Sequence, residues 1–366
     1  MVEFVSILLI GLGLMDGREG VLIILLNYKN WQDTIECLDS LRKLQSVPFH
    51  ILLIDNGSQD SSVAEICGWA SGKFNMSTVP GNRNPADIAR QCILPETKVR
   101  EDIEPVLIIV ENQENAGFAA GCNQGIQIAL SAGMEYVWLL NNDTVVEPSS
   151  LCKLVSFLDN NPSCQAVTPQ IRYYNKPSVI WNCGGELKWY GARTYYLLNH
   201  SAEQLSGKDS LDVTFVTGCS LLLRSSLLEK HGGLSEKFFF GEEDFEFCLR
   251  MKKNNIRMSC CLGALIYHKV SASVDNASSK FLNKVYVHYV NRFINLRDYW
   301  PRLFWLFWRL CYCIFIYDLL GRKYNISRRD KVAFIRRLRL DSSLLPGVDR
   351  ERFFAIMNDV DYISKR

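Results

Sequence analysis

The sequence lacks the patterns that mark several common functional classes. Its formal net charge is only +2 over 366 residues, whereas nucleic-acid-binding proteins usually concentrate far more positive charge. It contains no C-x-x-C pair of the kind that holds zinc. It also has neither a Walker A loop nor the G-x-G-x-x-G dinucleotide fingerprint. The low charge argues against a nucleic-acid partner, and the cysteine spacing argues against a zinc-stabilised module. A nucleotide, if one binds, is not held by either of these two common motifs.

The cysteines are numerous but form no disulfide framework. There are 13, an odd number, and many of them lie in apolar runs, where a free thiol behaves as a small hydrophobic group. We therefore predict that they pack in the interior, including Cys260, Cys261, Cys311 and Cys313. Free cysteines persist in a reducing compartment, which predicts a cytoplasmic protein.

The first 20 residues lack the basic segment of a secretory signal peptide and carry Glu3 instead. Their apolar run is too short to span a bilayer comfortably. We interpret residues 1–20 as a dispensable N-terminal extension, with a membrane anchor as the less favoured alternative.

Four apolar segments predict the strands of a sheet. Because each is apolar throughout rather than alternating, it should be covered on both faces, as in a parallel sheet. Segments with helical features separate them, for example residues 31–44 and 118–133. This alternation predicts a βαβ domain with right-handed crossovers. The four strand segments are residues 21–27, 50–56, 105–112 and 136–143.

Each of these segments finishes in small polar residues, among them Asn27, Asp55, Asn112 and Asp143. The carboxyl ends of parallel strands meet at one edge of a sheet, and ligands bind beyond that edge. One polar strand end is ordinarily a turn, but four at the same edge predict a binding site.

Two regions depart from this rhythm. Residues 68–104 are rich in Gly, Pro, Asn and charge, which predicts a surface insertion. Residues 299–321 are dense in aromatics but carry Arg309 near their centre, which disfavours a spanning helix. The stretch that follows is strongly basic. We predict that residues 281–366 form a helical, aromatic and basic region, which either contacts a membrane surface through residues 299–340 or packs on the preceding domain.

Asp55 precedes Asn56, Gly57 and Ser58 in a turn sequence. Its carboxylate could accept a hydrogen bond from a base imide or a sugar hydroxyl, and the N–H groups of the turn could face an anion. An Asx-turn without a ligand is the alternative. Gly117 precedes a predicted helix, where a glycine allows close approach and the helix terminus favours a phosphate.

Asp143 follows Asn141 and Asn142 at the end of the fourth strand segment. Mg²⁺ and Mn²⁺ prefer hard oxygen ligands and often take one or two carboxylates together with substrate phosphates. Asp143 could supply such a ligand, or it could cap a turn or helix. His268 ends the last apolar segment, and its imidazole suits Mn²⁺, although an isolated histidine is more often structural. Lys269 or Ser271, which follow it, could assist in binding phosphate.

Glu242, Glu243 and Asp244 begin another predicted helix. Acidic residues in a first turn complement the helix dipole, which alone would explain them. A carboxylate at this place could also act as a general base. The helix terminus lowers its pKa whereas the adjacent acids raise it. The sequence leaves open both this balance and which of the three acids would be the base.

Taken in order, seven motifs resemble family 2 of the inverting glycosyltransferases, particularly its rhamnosyltransferase-like branch. They are NYKNWQDTIECLDSL, IDNGSQDSS, NAGFAAGCNQGI, VWLLNNDTVVEP, FVTGCSLLLR, GGLSEKFFFGEEDFEFCLR and YHKVSAS, and they extend from about residue 21 to 273. The resemblance implies an α/β GT-A fold in residues 21–280, with a Rossmann-like, mostly parallel central sheet flanked by helices and a helical C-terminal extension.

The resemblance also implies roles for individual residues. Asp244 would be the catalytic base with Glu243 beside it, and Asp143 and His268 would bind Mg²⁺ or Mn²⁺. Three positions depart from the usual pattern, since Asn141 replaces an Asp, Cys122 replaces an Asn and Glu242 replaces an apolar residue. The nucleotide sugar would contact Asn27, Asp55, Asn115, Gly117, Asn142 and Asp143.

The implied function is inverting, metal-dependent hexosyl transfer in cell-surface polysaccharide synthesis. The donor would be a dTDP- or UDP-linked sugar, with rhamnose as the first candidate, and the acceptor a glycan or a lipid-linked glycan. Such an enzyme would be cytoplasmic, or peripheral at the inner face of the plasma membrane. The alternatives are a sugar-nucleotide nucleotidyltransferase, disfavoured because LLNYKNW has no glycine-rich loop, and an inactive glycan-binding or scaffold module.

Overall fold

The computed structural model describes residues 20–93, 105–205, 207–270, 281–324, 326–359 and 362–363. The expected N-terminal extension, apart from its last residue, and Ser271, which could have assisted in phosphate binding, lie outside these ranges. The strands are β1 (Val21–Asn27), β2 (Phe49–Asp55), β3 (Asn75–Pro80), β4 (Val106–Glu111), β5 (Tyr136–Asn141), β6 (Thr144–Val146), β7 (Cys164–Tyr173), β8 (Lys176–Asn182), β9 (Gly185–Leu187), β10 (Arg193–Tyr195), β11 (Ser210–Val213), β12 (Ser220–Arg224) and β13 (Arg257–His268).

The helices surround the sheet and continue beyond it. They are α1 (Trp31–Leu41), α2 (Ser62–Ala70), α3 (Pro85–Cys92), α4 (Phe118–Ser131), α5 (Ser150–Asn160), α6 (Ser225–His231), α7 (Glu243–Lys253), α8 (Phe281–Tyr299), α9 (Arg302–Tyr324), α10 (Arg328–Leu344) and α11 (Arg350–Asn358).

One large sheet runs through the molecule in the order β11-β13-β7-β12-β5-β1-β2-β4-β3. The five strands from β5 to β3 are parallel to one another. Beyond β5 the sheet becomes mixed, because β12 pairs antiparallel with both β5 and β7. A separate two-stranded ribbon joins β9 to β10. The predicted α/β class, with a mostly parallel central sheet between helices, is confirmed.

The continuous apolarity of β1 reflects two cores, one on each face of the sheet. Leu22 and Ile24 contribute to one buried cluster, whereas Val21, Ile23 and Leu25 contribute to the other. Successive side chains of a strand point to opposite faces, so a strand covered on both sides needs apolar residues at every position. The sequence pattern of the parallel strands has this cause.

Residues 68–93, the described part of the expected surface insertion 68–104, belong to the α/β layer structure. They contain β3, which pairs with β4 at the edge of the central sheet, and α3, whose Ile88 and Ala89 are fully buried. Only Val79 of β3 is buried, because an edge strand is covered less completely than an inner one.

The cysteines are free, and ten of the 13 are buried, as the packing prediction requires. Cys67 and Cys152 are half-buried, and the one exposed cysteine is Cys311 on α9. Its expected packing role is wrong, since it lies on the helix face that turns away from the domain. The boundary between residues 21–280 and 281–366 stays a prediction.

Candidate active site

The polar ends of the parallel strands meet at one edge of the sheet, as predicted. The β1–β2 register places Asn27 opposite Asp55, and the β2–β4 register places Asp55 opposite Glu111. On the other side of β1, Leu26 stands opposite Asn141 at the end of β5. The sheet alone therefore gathers side chains that are far apart in sequence.

Asp55 is the centre of a buried hydrogen-bond network. Its Oδ1 accepts from Asn27 Nδ2 at 2.7 Å and from the Ser58 hydroxyl at 2.6 Å. Its Oδ2 accepts from the Ser58 N–H at 2.9 Å. The Asx-turn considered as the alternative role is thus present. A carboxylate offers about four acceptor positions, so the turn leaves capacity at Oδ2 for one further donor.

Asn56 connects this turn to the loop that precedes α4. Its amide Nδ2 donates to Asn115 Oδ1 and to the Gly117 carbonyl, both at 3.1 Å. Gly57 has a φ of +73°, and a Cβ on it would lie 2.5 Å from the Glu114 carbonyl carbon. The two loops can approach this closely only because a glycine stands at the contact.

Gly117, like Gly57, stands where two loops approach so closely that no side chain fits between them. Its φ is +95°, and a Cβ would lie 2.6 Å from the Phe239 carbonyl oxygen. Phe239 precedes the acidic residues at the start of α7. Gly117 therefore packs the loop before α4 against the loop that carries those acids.

A cavity of about 610 Å³ opens at this edge of the sheet, beyond β2, β3 and β4. Asp55 lines it together with Gln59, Gly81 and residues 111–113. Its size is within the range of small-ligand sites. β3, which belongs to the segment expected to be an insertion, supplies one wall through Thr78 to Pro80.

Asn142 has a local partner. Its amide Nδ2 donates to the Thr34 hydroxyl at 2.7 Å and approaches Asn27 Oδ1 at 3.4 Å. Thr34 also donates to Asn27 Oδ1 at 2.9 Å. Asn142 therefore ties the end of β5 to the end of β1 and the start of α1.

Asp143 and His268 lie together, although they are 125 residues apart in the chain. The antiparallel pairing of β6 with β13 places Thr144 opposite His268, and the Asp143 Oδ2–His268 Nε2 distance is 3.2 Å. Although burial by itself lowers the pKa of His268, the Cys219 sulfur and the Asp143 carboxylate raise it, to about 10.

The pair could hold a divalent cation that is completed by its substrate. Such a cation would displace the proton that the raised pKa keeps on His268, because only the neutral imidazole binds a metal. Asp143 Oδ1 is buried and has no hydrogen-bond partner among the described residues, so one hard oxygen ligand is available. No group of three or more His, Cys, Asp or Glu side chains suited to a metal occurs in the described ranges. A cation held there would need phosphate oxygens or water for its remaining ligands, which is usual for Mg²⁺ and Mn²⁺.

Lys269, considered as a phosphate ligand, is engaged by protein carboxylates instead. Its ammonium group bridges Asp33 and Glu36 of α1. Although burial lowers the pKa of Lys269, the two carboxylates outweigh this effect and raise it. Lys269 therefore fixes the end of β13 to α1.

Glu242 is distinguished from the other two acids by its partner. It is buried, and Arg292 of α8 grips its carboxylate through two bonds, Nε–Oε2 at 2.6 Å and Nη2–Oε1 at 2.8 Å. Although burial by itself raises the pKa of Glu242, Arg292 lowers it below its usual range. A carboxylate held in this way is a structural anion and is a poor proton acceptor.

Glu243 and Asp244 have the opposite electrostatic character. Burial, and then the neighbouring Asp244 charge, raise the pKa of Glu243 to about 8. Burial also raises the pKa of Asp244, although Arg193 opposes the shift. The sequence left open whether the pKa values of these acids are raised or lowered. In the structure those of Glu243 and Asp244 are raised, which suits a general base near neutral pH.

Arg193 is a residue that sequence reasoning missed. It lies on β10 and its Nη1 is 3.3 Å from Asp244 Oδ1. Its guanidinium also lies over the Phe215 ring, 4.9 Å from the centroid. No spacing in the sequence that precedes it, IWNCGGELKWYGA, marks Arg193 as a partner of an acid.

Residues 216–219 form a short segment that contacts both α7, which begins with the acidic turn, and the end of β5. The Val216 N–H donates to Cys248 Sγ of α7 at 3.3 Å, and the Cys219 carbonyl accepts from Asn141 N at 2.8 Å. The acidic turn and the Asp143–His268 pair therefore flank the same stretch of chain.

Comparison with known proteins decides the family. The profile of a family described as glycosyltransferase-like family 2 matches residues 74–287, more than half of the chain. The chain belongs to this family. The matched region includes Asp143, Asp244 and His268. It begins after β1 and β2, so it does not reach Asn27 or Asp55.

Two curated relatives match the chain over shorter stretches than the family profile does. The low-salt glycan biosynthesis hexosyltransferase Agl10 of Haloferax volcanii is 26% identical over 188 residues, which are 50% of this chain and 58% of that protein. Poly-beta-1,6-N-acetyl-D-glucosamine synthase of Staphylococcus aureus is 28% identical over 167 residues, 45% of this chain and 32% of that one. The family 2 chain thus spans less than two thirds of these relatives.

The fold also matches a solved glycosyltransferase. GalNAc-T7, crystallised with UDP, GalNAc and Mn²⁺, aligns with a TM-score of 0.55 at 11% identity, over 96% of this chain and 58% of that one. Identity this low speaks for the fold alone. The GT-A fold expected from the sequence motifs is confirmed.

Proposed function

We propose that the protein is an inverting glycosyltransferase that moves a hexosyl group from a nucleoside-diphosphate sugar to an acceptor hydroxyl. The observation that carries this proposal is the contrast within the acidic turn. Glu242 is neutralised by Arg292, whereas Asp244 keeps a raised pKa and is 18% exposed at its side chain. Of these two acids, Asp244 is therefore the one suited to accept a proton from a substrate, in agreement with the role that the sequence resemblance implies.

In the proposed reaction, Asp244 takes the proton of the acceptor hydroxyl as that oxygen attacks the anomeric carbon. The bond from this carbon to the diphosphate breaks on the opposite side, so the anomeric configuration inverts without a covalent enzyme intermediate. Arg193 holds the Asp244 carboxylate in place. Burial and the Asp244 charge raise the pKa of Glu243 to about 8, so Glu243 is mostly protonated near neutral pH while Asp244 is ionised.

Asp143 and His268 would hold Mg²⁺ or Mn²⁺, which would offset the charge of the departing nucleoside diphosphate. The unpaired Asp143 Oδ1 supports this assignment. The remaining ligands would come from the donor, since the described part of the chain offers only this pair.

The donor nucleotide would occupy the cavity beyond β2, β3 and β4. The free capacity of Asp55 Oδ2 is suited to an N–H of a base, as in a dTDP- or UDP-linked sugar. Asn27, Asn115, Gly117 and Asn142 would act mainly by shaping this pocket, since each is engaged in contacts between loops. Rhamnose is the first donor sugar to test.

The acceptor would be a glycan or a lipid-linked glycan in cell-surface polysaccharide synthesis, at the cytoplasmic face of the membrane. The relatives Agl10 and poly-beta-1,6-N-acetyl-D-glucosamine synthase carry names from glycan synthesis, which supports this choice. We thus propose both the acceptor and the place of the reaction in polysaccharide synthesis.

A donor screen tests the function. The full chain is incubated with Mn²⁺ and a panel of nucleotide sugars, and mass spectrometry follows release of the nucleoside diphosphate and transfer to glycan acceptors. We expect one donor to be consumed, with Asp244→Asn as the inactive control. Release of pyrophosphate from a nucleoside triphosphate and a sugar phosphate would instead identify a nucleotidyltransferase. Binding of a glycan without turnover of any donor would identify a binding module.

A further inference from the structure

Helix α9 has one face that belongs to the folded domain. Trp305, Trp308 and Ile316 are buried there. The Trp305 indole N–H donates to the Phe293 carbonyl at 3.0 Å, and that of Trp308 donates to the Tyr190 carbonyl at 2.9 Å. These contacts fix α9 along the surface of α8 and of the β9–β10 hairpin.

The opposite face of α9 is apolar and has no partner among the described residues. Leu303, Phe307, Leu310 and Ile314 are 82%, 67%, 54% and 66% exposed. Their spacing of four, three and four residues places them in one stripe along the helix. A contiguous apolar surface of this kind marks an interaction site in a soluble protein.

Three arginines line a groove of about 540 Å³ between α9 and α10. They are Arg309, Arg336 and Arg339, and the other lining residues are Tyr317, Val332, Ile335 and Leu340. Arg309 lies over the Trp305 ring, 4.4 Å from its centroid, and donates to the Arg339 carbonyl at 3.2 Å. None of the three arginines forms an ion pair within the described part of the chain. The nearby acids are engaged elsewhere, Asp318 with Arg322 at 2.8 Å and Asp341 with Arg337 at 3.0 Å. The groove therefore carries uncompensated positive charge.

We propose that the α9–α10 surface docks the protein onto a membrane that contains anionic lipid. The apolar stripe enters the boundary between head groups and acyl chains, while the three arginines bind lipid phosphates. This combination of an apolar face and adjacent basic residues is typical of helices that lie in the interface.

The packed face of α9 determines that the helix lies on the membrane and does not cross it. By length and composition alone, Arg302–Arg322 could span a bilayer, and it is the one such helix in the described ranges. A spanning helix would be surrounded by lipid, which would break the indole hydrogen bonds of Trp305 and Trp308 to the domain.

The docking surface is connected to the proposed catalytic acid through the β9–β10 hairpin. Trp308 holds the turn of the hairpin at Tyr190, and Trp189 beside it is 76% exposed. The same hairpin carries Arg193, which contacts Asp244. If the proposed function holds, docking would thus present the active site to an acceptor anchored in the same membrane, and this part of the inference rests on that function.

Vesicle flotation tests the docking. The full chain is mixed with phosphatidylcholine vesicles, with or without phosphatidylglycerol, and the bound fraction is measured at low and high salt. We expect binding only to the anionic vesicles and a loss of binding with salt. Arg309→Gln/Arg336→Gln/Arg339→Gln should weaken binding about a hundredfold, and Phe307→Ser/Ile314→Ser should abolish it.

A matched variant controls for the lost charge. Lys176→Gln/Lys208→Gln/Lys230→Gln removes three exposed cations from the rest of the protein and should leave vesicle binding within about twofold of the unmodified chain. A thermal melt of each variant checks that folding is intact, since all the altered side chains are exposed or line a surface groove.

Three results would overturn the proposal: no binding of the unmodified chain to anionic vesicles, unchanged binding of the triple arginine variant, or a dimer in light scattering that Phe307→Ser/Ile314→Ser dissociates. The last would identify a second copy of the chain as the occupant. Donor turnover without vesicles is measured on the same samples. Intact turnover without docking refutes the docking alone, whereas docking without turnover of any donor refutes the proposed function alone.

Discussion

Arg292 clamps Glu242 at the start of the acidic turn. The two side chains are joined by bonds of 2.6 and 2.8 Å, and Glu242 adopts a left-handed backbone with a φ of +73°. Asn295, one turn further along α8, donates to the Glu242 carbonyl at 3.3 Å. A helix from the C-terminal region therefore holds the backbone from which Glu243 and Asp244 project.

Removing the arginine should cost stability. Arg292→Met leaves the Glu242 carboxylate buried without its partner, which typically costs about 3–5 kcal/mol. Urea denaturation should show this loss in the free energy of unfolding. Adding Glu242→Gln to Arg292→Met removes the stranded charge and should recover part of the stability. The surface pair Arg257–Asp212, 50% and 71% exposed, supplies the control, since Arg257→Ala should cost less than about 1 kcal/mol. Equal costs for the two arginines would contradict the clamp.

Asp244→Asn should abolish sugar transfer while leaving donor binding intact. The amide keeps the shape of the side chain but cannot accept the proton, and loss of a general base typically lowers the rate by about 10²–10⁴. Turnover by mass spectrometry and donor affinity by calorimetry separate the two effects. Asp212→Asn, which changes an exposed carboxylate, serves as the control. Near-normal turnover in Asp244→Asn, with a large loss in Glu243→Gln, would assign the base to Glu243.

The rate should fall as the pH is lowered through the raised pKa of the acidic pair. The base acts only when deprotonated, so a raised pKa moves the acidic limb of the profile above the range of ordinary carboxylates. Arg193 opposes this rise, so Arg193→Gln should shift the limb to still higher pH, and Arg193→Lys should largely restore it. A profile of kcat/KM against pH measures the shift. A uniform loss of rate at every pH would mean that Arg193 has only a structural role.

Chelation should stop transfer, and Mn²⁺ should restore it. Asp143→Asn replaces a charged ligand with a neutral one, so the Mn²⁺ concentration for half-maximal rate should rise by about tenfold or more. The EPR signal of Mn²⁺ titrated in the presence of nucleoside diphosphate reports binding independently of turnover. Asp60→Asn changes an exposed carboxylate away from the pair and should behave as the unmodified chain does. Full activity in a chelator would remove the metal from the mechanism.

Gly57→Ala should destabilise the fold more than Gly133→Ala. The two glycines have nearly equal φ values, +73° and +70°, so the conformational cost of a Cβ is about the same. Only at Gly57 would that Cβ collide with backbone, 2.5 Å from the Glu114 carbonyl carbon, whereas Gly133 faces open space. The difference in melting temperature isolates the collision. Equal melting temperatures would mean that the two loops can separate without cost.

The central sheet was predictable because its strands are covered on both faces. β1 agrees with its predicted bounds at both ends, and the predicted ends of β2, β4 and β5 differ by two residues at most. β3 was missed because Asn75–Pro80 lies at the sheet edge, where a strand needs few apolar residues. Burial on both faces therefore decides how strongly a strand is visible in sequence.

The site divides along similar lines. Asn27, Asp55 and Asp143 could be grouped because strand ends meet by topology alone. The roles of Glu242 and Arg193 could not be predicted from the sequence, because each depends on a partner from another element that carries no motif. Arg292, for instance, lies in the middle of a helix in which apolar, aromatic and polar residues alternate without a recognisable motif. Side-chain pairing across elements requires three-dimensional coordinates.

The clamp has a consequence for the timing of biosynthesis. Arg292 follows Glu242 by 50 residues, so at about 5–20 residues per second the ribosome adds it roughly 3–10 s later. Until Arg292 is added, Glu242 lacks the counter-ion that holds its carboxylate in the finished fold. A nascent or prematurely terminated chain would thus hold its acids in an immature arrangement, and competence would arise only when α8 docks.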